Sequence, residues 1–361
     1  VWKDYLRTRA LDHYADLLPA GFRGEMTATR AERALTALKG TMGEGLGRMY
    51  VEKYLSPAQK ARVQGVVANV VEAFARRVEA STWMAPATKA QAIAKIRALY
   101  VGIGYPERWQ DFSGLAIDPA DALGNVRRAE ARNHALALAK LGRPMDRGEW
   151  WISPERPGGI LMFQQNAYDF SAALLQPPKY DSTASEAATY GAIGAVIGHD
   201  VTHYVDLLGA EFELTGRERR WWTEEDLRRY ETLARPMADQ FSAYRPFPDV
   251  AVDGAKTRSE NIADLAGLSA AFEAYRATLR DRMGDTAFVH AQDRAFFTAF
   301  AQSWRSQYTE GALRAQLATD THAPDRYRIA TVRNLDAWYE AFDVRPGQRL
   351  YLPPAQRVRV W

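Results

Sequence analysis

His199 and His203 stand four residues apart in the stretch His199-Asp200-Val201-Thr202-His203. On a helix that spacing turns both imidazoles to one face, where they can grip a single metal ion. A carboxylate between such a pair can serve as general base for metal-assisted hydrolysis, the chemistry of the H-E-x-x-H motif. Here the Glu position holds Asp200. Aspartate offers the same proton chemistry from a carboxylate set back by roughly 1 Å, and a misplacement of that size can cost roughly a hundredfold in rate. The metal grip is expected to survive, because the middle position is not a ligand.

Two histidines need a third ligand and carboxylates behind them. Ser259-Glu260-Asn261-Ile262-Ala263-Asp264 offers both on a second expected helix, with Glu260 and Asp264 four apart on one face. Glu260 can complete a His, His, Glu set, and Asp264 can accept the second ring N–H of a metal-bound histidine. Without the histidines, Glu260 and Asp264 would read as a solvated helix face. Without the acids, the histidines would read as two helix residues satisfying one another.

The elements that must carry these residues follow from periodicity and punctuation. Residues 1–150 read as helices: one ending near Leu55, a break, and a long periodic run from Pro57 through Trp83. Pro86 suits an early helix position. Gly102-Ile103-Gly104-Tyr105-Pro106 reads as a loop. Asp118 and Pro119 read as the cap and first residue of a helix running past His134 to Leu141. Ile160-Leu161-Met162-Phe163, after Pro157-Gly158-Gly159, is the best strand signal. Helix resumes near Glu186 through the histidine pair, and again near 223–243, 259–282, 291–308 and 333–342. The chain should be mainly α with a small β-sheet.

Composition sets outer bounds. The chain has 361 residues, 47% hydrophobic and 25% charged, with net charge +3 and no cysteine. Such a charge is too small to argue for nucleic acid. Without cysteine there is no disulfide framework, and any metal must be held by histidine and carboxylate. No apolar run reaches the roughly 18 residues of a membrane span, and no signal peptide is evident. The chain begins at Val1 rather than Met, so a leader or a longer N-terminal region is expected ahead of it.

Longer stretches carry a family resemblance. Gly194-Ala195-Val196-Ile197-Gly198-His199-Asp200-Val201-Thr202-His203, followed by Asp206, resembles the zinc helix of the neprilysin and endothelin-converting-enzyme family, and Glu260-Asn261-Ile262-Ala263-Asp264 is similar to its E-N-I-A-D helix. Leu175-Gln176-Pro177-Pro178, Trp221 to Asp226, Asn334 to Phe342 and Arg357-Val358-Arg359-Val360-Trp361 resemble further family stretches. The resemblance implies a thermolysin-like zinc-peptidase catalytic domain of the gluzincin type over 151–361, and over 1–150 the second half of the family's N-terminal helical domain. It implies one Zn2+ held by His199, His203 and Glu260, with Asp264 orienting His199 and Asp206 a further carboxylate behind the ligands. His322 would donate to the transition-state oxyanion and Arg328 would hold a substrate carbonyl. It implies small peptides as substrates and, by default, a periplasmic or secreted location. Members are considerably longer, so the rest of the helical domain, or a partner chain, would complete the catalytic chamber.

Departures cluster near the expected site. Besides Asp200, Tyr204 stands for a usual Gly, Leu207 for an Asp, and Ser259 and Ala266 for Gly. The family's N-A-Y-Y edge strand pairs with substrate backbone. Counting without gaps between Pro154 and Gln176 places that motif at Gly158-Gly159-Ile160-Leu161, which makes these glycines the substrate-facing positions. A gapped reading would place it at Asn166-Ala167-Tyr168. Three functions stay open: an attenuated zinc endopeptidase with Asp200 as base, a zinc-binding homologue without useful catalysis acting as scaffold or peptide-binding subunit, and a zinc hydrolase in which Gly158-Gly159 makes room for a non-peptide group.

Overall fold

The computed structural model describes residues 1–22 and 28–361. An exposed helix α1, Trp2–His13, precedes α2, Arg30–Tyr54, which opens on a reciprocal cap between Thr29 and Glu32. Ser56 and Gln59 repeat the device, with Pro57 in the first turn, for α3, Pro57–Ala80. Along α3, Val63, Val66, Val67, Val70, Phe74 and Val78 recur at three- and four-residue steps and are all buried. Helix α4, Pro86–Arg97, folds back on α3 and leads into strand β1, Tyr100–Gly104.

Two expectations fail here. The stretch from Gly102 read as a loop, yet β1 pairs in parallel with a later strand, and its Gly102 is needed because a Cβ would press within 3.1 Å of Trp150 and against Asp169. The glycines mark close approach rather than a turn. The next helix, α5, is Ala122–Leu138 and is capped by Asp121, whose carboxylate accepts from the Gly124 amide at 2.7 Å. Asp118 instead closes a turn by accepting from the Ala120 amide at 2.9 Å.

Strand β2, Gly159–Met162, and strand β3, Ala167–Ser171, complete a sheet of order β1-β3-β2. β3 runs parallel to β1, with Tyr100 opposite Ala167, and antiparallel to β2, with Gly159 opposite Phe170 and Met162 opposite Ala167. Every β3 residue is buried; β2 forms the outer edge and opens on the exposed Gly159.

Helix α6, Glu186–Thr189, passes through a π-turn, Tyr190–Gly194, into α7, Ala195–Thr202, which carries the first histidine. Then come α8, Glu224–Ser242, α9, Arg258–Thr278, α10, Thr286–Ser303, α11, Glu310–Thr319, the short α12, Asp325–Arg328, and α13, Asp336–Phe342. Helices α3, α7 and α9 pack on one another at the centre. The C-terminal tail returns to α3 and α8: Trp83 Nε1 donates to the Val360 carbonyl at 2.7 Å, and Trp361 sits 5.1 Å, centroid to centroid, from Trp83. Among the described residues no helix is long and apolar enough to cross a membrane.

The crossing of α7 and α9 is a backbone contact. A Cβ on Gly198 would lie 2.6 Å from Gly267 Cα; one on Gly267 would strike the His199 amide nitrogen. Only glycine at both positions permits that approach. Gly267→Ala should therefore lower stability by about 1–3 kcal/mol, while Gly65→Ala on α3, where a Cβ meets nothing within 4 Å, should be neutral or slightly stabilising; denaturant titration checks the pair.

Asp169 on β3 gives a second expectation. Its Oδ2 accepts from the Trp151 amide at 3.1 Å and its Oδ1 has no hydrogen-bond partner among the described residues. Burial pushes its carboxyl up from 3.8 to about 6. The folded state thus holds the proton more tightly than the unfolded one. The contribution is complete below about pH 4 and is lost as pH rises through about 6, to a total of about 3 kcal/mol. Relative to Asp169→Asn, the unmodified protein should lose that much between pH 4 and 7.5, measured by urea unfolding at each pH.

Candidate metal centre

Helix α7 and the residue just past its end present His199 and His203 one turn apart, and the first turn of α9 presents Glu260. His199 Nε2 lies 3.1 Å from His203 Nε2 and 3.2 Å from Glu260 Oε2; His203 Nε2 lies 3.2 Å from the same oxygen. Tetrahedral bonds of about 2.0–2.2 Å would separate ligand atoms by about 3.3 Å. All three residues are buried. The donor set, its spacing and the absence of cysteine fit one zinc ion.

The hydrogen bonds behind the ligands fix the tautomers that such an ion requires. His199 Nδ1 bonds Asp264 Oδ1 at 2.9 Å, and His203 Nδ1 bonds Asp206 Oδ2 at 2.8 Å. A carboxylate only accepts, so each Nδ1 carries a proton; zinc bound at the centre would take each Nε2 by its lone pair, in place of the proton that Nε2 otherwise offers Glu260. Asp206 also accepts from the Leu208 amide at 2.8 Å and from Ser259 Oγ at 3.4 Å. Asp264 receives Arg328 through Nη2 at 2.7 Å and Nε at 2.8 Å. Burial pushes the Asp264 carboxyl up, but the Arg328 charge and the His199 bond outweigh it and hold it far below the usual range. Likewise, burial raises Glu260, and its bonds with His199, His203 and His322 overturn that and keep it ionised.

His322 approaches from the segment before α12. Its Nδ1 lies 2.9 Å from Asp320 Oδ1 and its Nε2 3.0 Å from Glu260 Oε2. Both neighbours are acceptors, so the ring satisfies them only with both nitrogens protonated. Burial opposes that charge, but the bond and charge of Glu260 outweigh it and raise the pKa. His199, Glu260 and His322 offer donor atoms within 4.8 Å of one another. His322 is the more exposed and lies on the opening side of the site. Arg328 is buried with Nε and Nη2 committed to Asp264.

Asp200 is half-buried and meets the sheet through one of its carboxylate oxygens. Tyr168 Oη, from the buried strand β3, donates to Asp200 Oδ2. Gly159 lies diagonally across on β2, and a Cβ there would come within 2.6 Å of the Tyr168 ring. Gly159 therefore opens no room for a substrate group, because the phenol already fills the space. Tyr204 is buried, donates to the Ala167 carbonyl and accepts from the Met162 amide at 3.1 Å, tying β2 to β3 from beneath. Asn166 adopts φ 47° at the turn before β3, and its buried side chain donates to the Lys95 carbonyl at 3.0 Å. It precedes the central strand β3 and is not offered at a sheet edge; the edges are β1 and β2, Gly159 to Met162 forming the second. Sequence reading missed Tyr168 as the partner of Asp200 and Asp320 as the partner of His322. Only the strand register brings Tyr168 to Asp200, and no local pattern encodes it. Asp320, two residues before His322, was a readable signal.

Asp206→Asn should weaken zinc binding by about 10–100-fold, because an amide N–H facing His203 Nδ1 disfavours the tautomer that ligates. Competition with a chromophoric chelator measures this, and unchanged far-ultraviolet circular dichroism separates it from unfolding.

The chain is similar to known proteins along most of its length. Family models described as Peptidase family M13 match residues 162–358 and 1–106. Neutral endopeptidase of Lactobacillus helveticus is 33% identical over 337 residues, spanning 92% of this chain and 50% of that protein. Human endothelin-converting enzyme-like 1 is 30% identical over 338 residues, spanning 88% and 42%. The cryo-EM structure of the Mycobacterium tuberculosis zinc metalloprotease Zmp1 in its open state matches with TM-score 0.88 and 35% identity, over 100% of this chain and 59% of that one. The chain spans about half the length of the curated relatives it matches. With both family models in place and the expected ligands converging inside the longer match, the chain belongs to peptidase family M13, the neprilysin and endothelin-converting-enzyme family of zinc metallopeptidases.

Proposed function

We propose that this chain carries the catalytic half of a zinc metallopeptidase that hydrolyses small peptides, with turnover lowered by Asp200. The observation that carries the reading is the His199, His203 and Glu260 triangle with a carboxylate behind each histidine. Zinc bound there supplies a Lewis acid that activates water and polarises a carbonyl.

The protein's own groups do the rest. A peptide adds to the free edge of β2, where Gly158-Gly159 offers backbone but no side-chain amide. Asp200 takes the proton from the attacking water and passes it to the leaving nitrogen. The protonated Nε2 of His322 donates to the carbonyl oxygen as negative charge develops. Arg328 keeps Nη1 for a substrate carbonyl while its other nitrogens brace Asp264.

Tyr168 decides how strongly Asp200 can act. The phenol engages Oδ2 and leaves Oδ1 for the proton, so the short side chain is aimed but half used. This supports the alternative of a zinc-binding homologue with negligible turnover, serving as scaffold or peptide-binding subunit. A Glu at position 200 would extend into the phenol.

Cleavage of a mixed peptide library, read by mass spectrometry against a His199→Ala blank, tests the proposal. The zinc-loaded protein should cleave above the blank. Asp200→Glu alone should gain little, whereas Asp200→Glu combined with Tyr168→Phe should gain roughly a hundredfold. Zinc-loaded protein that shows no cleavage, with the double variant equally silent, would establish the non-catalytic reading.

A further inference from the structure

A cation near the metal centre stands without a counter-ion. Lys179 follows Pro177-Pro178, and its Nζ is enclosed, with no hydrogen-bond partner among the described residues. It lies 3.3 Å from the centroid of the Trp304 ring, and the Arg328 guanidinium carbon lies 3.9 Å from that same centroid. One indole thus serves two cations. Arg328 is balanced by Asp264; Lys179 pairs with no carboxylate among the described residues.

A cation–π contact is weaker than the cost of withdrawing an ion from water. Trp304 alone does not offset the burial. Burial, and after it the Arg328 charge, pushes the Lys179 amine down to about 8, while Asp325, Asp264 and Asp200 act in the other direction. The amine is still mostly protonated at pH 7, and those neighbours place it within electrostatic reach of Asp200 and of the carboxylate behind His199. Lys179 also contributes to the wall of a cavity of about 470 Å³ that Trp304 and Arg328 do not line, so its enclosed Nζ belongs to the Trp304 and Arg328 side and not to that cavity.

We propose that Lys179 forms a subsite for a carboxylate of the bound peptide, seated beside Trp304 and Arg328. The proposal rests on the peptidase reading and names its substrate class: peptides bearing an acidic side chain or a free terminal carboxylate near the scissile bond. The four-carbon stem of lysine lets the ammonium leave the indole face to meet that group, and the pairing supplies the counter-charge that the free protein lacks.

The test is calorimetric binding of an alanine hexapeptide series to the zinc-loaded protein. A single Glu, or its isostere Gln, occupies each position in turn, and each peptide is made as the C-terminal acid and amide. A Glu form binding about tenfold more tightly than its Gln form at one position assigns a side-chain carboxylate. A similar advantage of acid over amide assigns the terminus. Lys179→Met should erase the difference and Lys179→Arg should keep it. Lys179→Met should also melt no lower than the unmodified protein, because it removes an unbalanced buried charge. Equal affinities throughout, or a preference that persists in Lys179→Met, would overturn the subsite. Hydrolysis of the same peptides is read separately: binding preference without cleavage counts against the peptidase reading and not against Lys179, whereas no binding of any peptide overturns both.

Discussion

The contact on which the site depends is the close crossing of α7 and α9 at Gly198 and Gly267. Histidines on one helix and a carboxylate on another can share a metal only if the helices approach more closely than ordinary side chains allow. Here the backbones touch, so His199 and His203 reach Glu260 with short, buried side chains held in single orientations. The same approach sets Asp264, one turn beyond Glu260, behind His199. A wider crossing would separate ligand from ligand and each imidazole from its acceptor together, so the metal geometry and the tautomers are one property of this packing.

Charge is then distributed in a chain outward from the centre. Asp264 would be costly to enclose by itself, and Arg328 neutralises it through two hydrogen bonds while Trp304 covers the guanidinium. Asp206 is handled differently, by an amide, a hydroxyl and an imidazole rather than a cation. The side of the site that faces the sheet is built around phenols. Tyr204 braces β2 against β3, and Tyr168 occupies the volume opened by Gly159 and meets the shortened Asp200. Gly159, Tyr168, Asp200 and Tyr204 thus form one connected arrangement beside the candidate ligands.

The candidate ligands could be picked out because their pattern is local: a four-residue helical spacing twice over, with residue types suited to a hard-to-borderline ion. Long amphipathic helices such as α3 were legible through periodicity and caps. β3 was not, because a strand buried on both faces shows no alternation, and Asn166-Ala167-Tyr168 could even suggest an edge. The gapless count put Gly158-Gly159 at the edge, and the edge strand does begin at Gly159. β1 was mistaken for a loop because its Gly102 answers to Trp150 and Asp169 and its Gly104 to Leu55, residues far along the chain. The Tyr168–Asp200 bond and the unbalanced Lys179 depend on register and on enclosure, which single-residue patterns do not carry.

The central claim is that one zinc ion is held by His199, His203 and Glu260, with His322 outside the ligand set. X-ray absorption spectroscopy of the zinc-loaded protein and of its His322→Ala variant tests this most directly. The account predicts two imidazoles and oxygen donors at about 2.0–2.2 Å in both proteins, with spectra that superimpose. Three imidazoles in the unmodified protein falling to two in the variant would make His322 a ligand and contradict the assignment of the site.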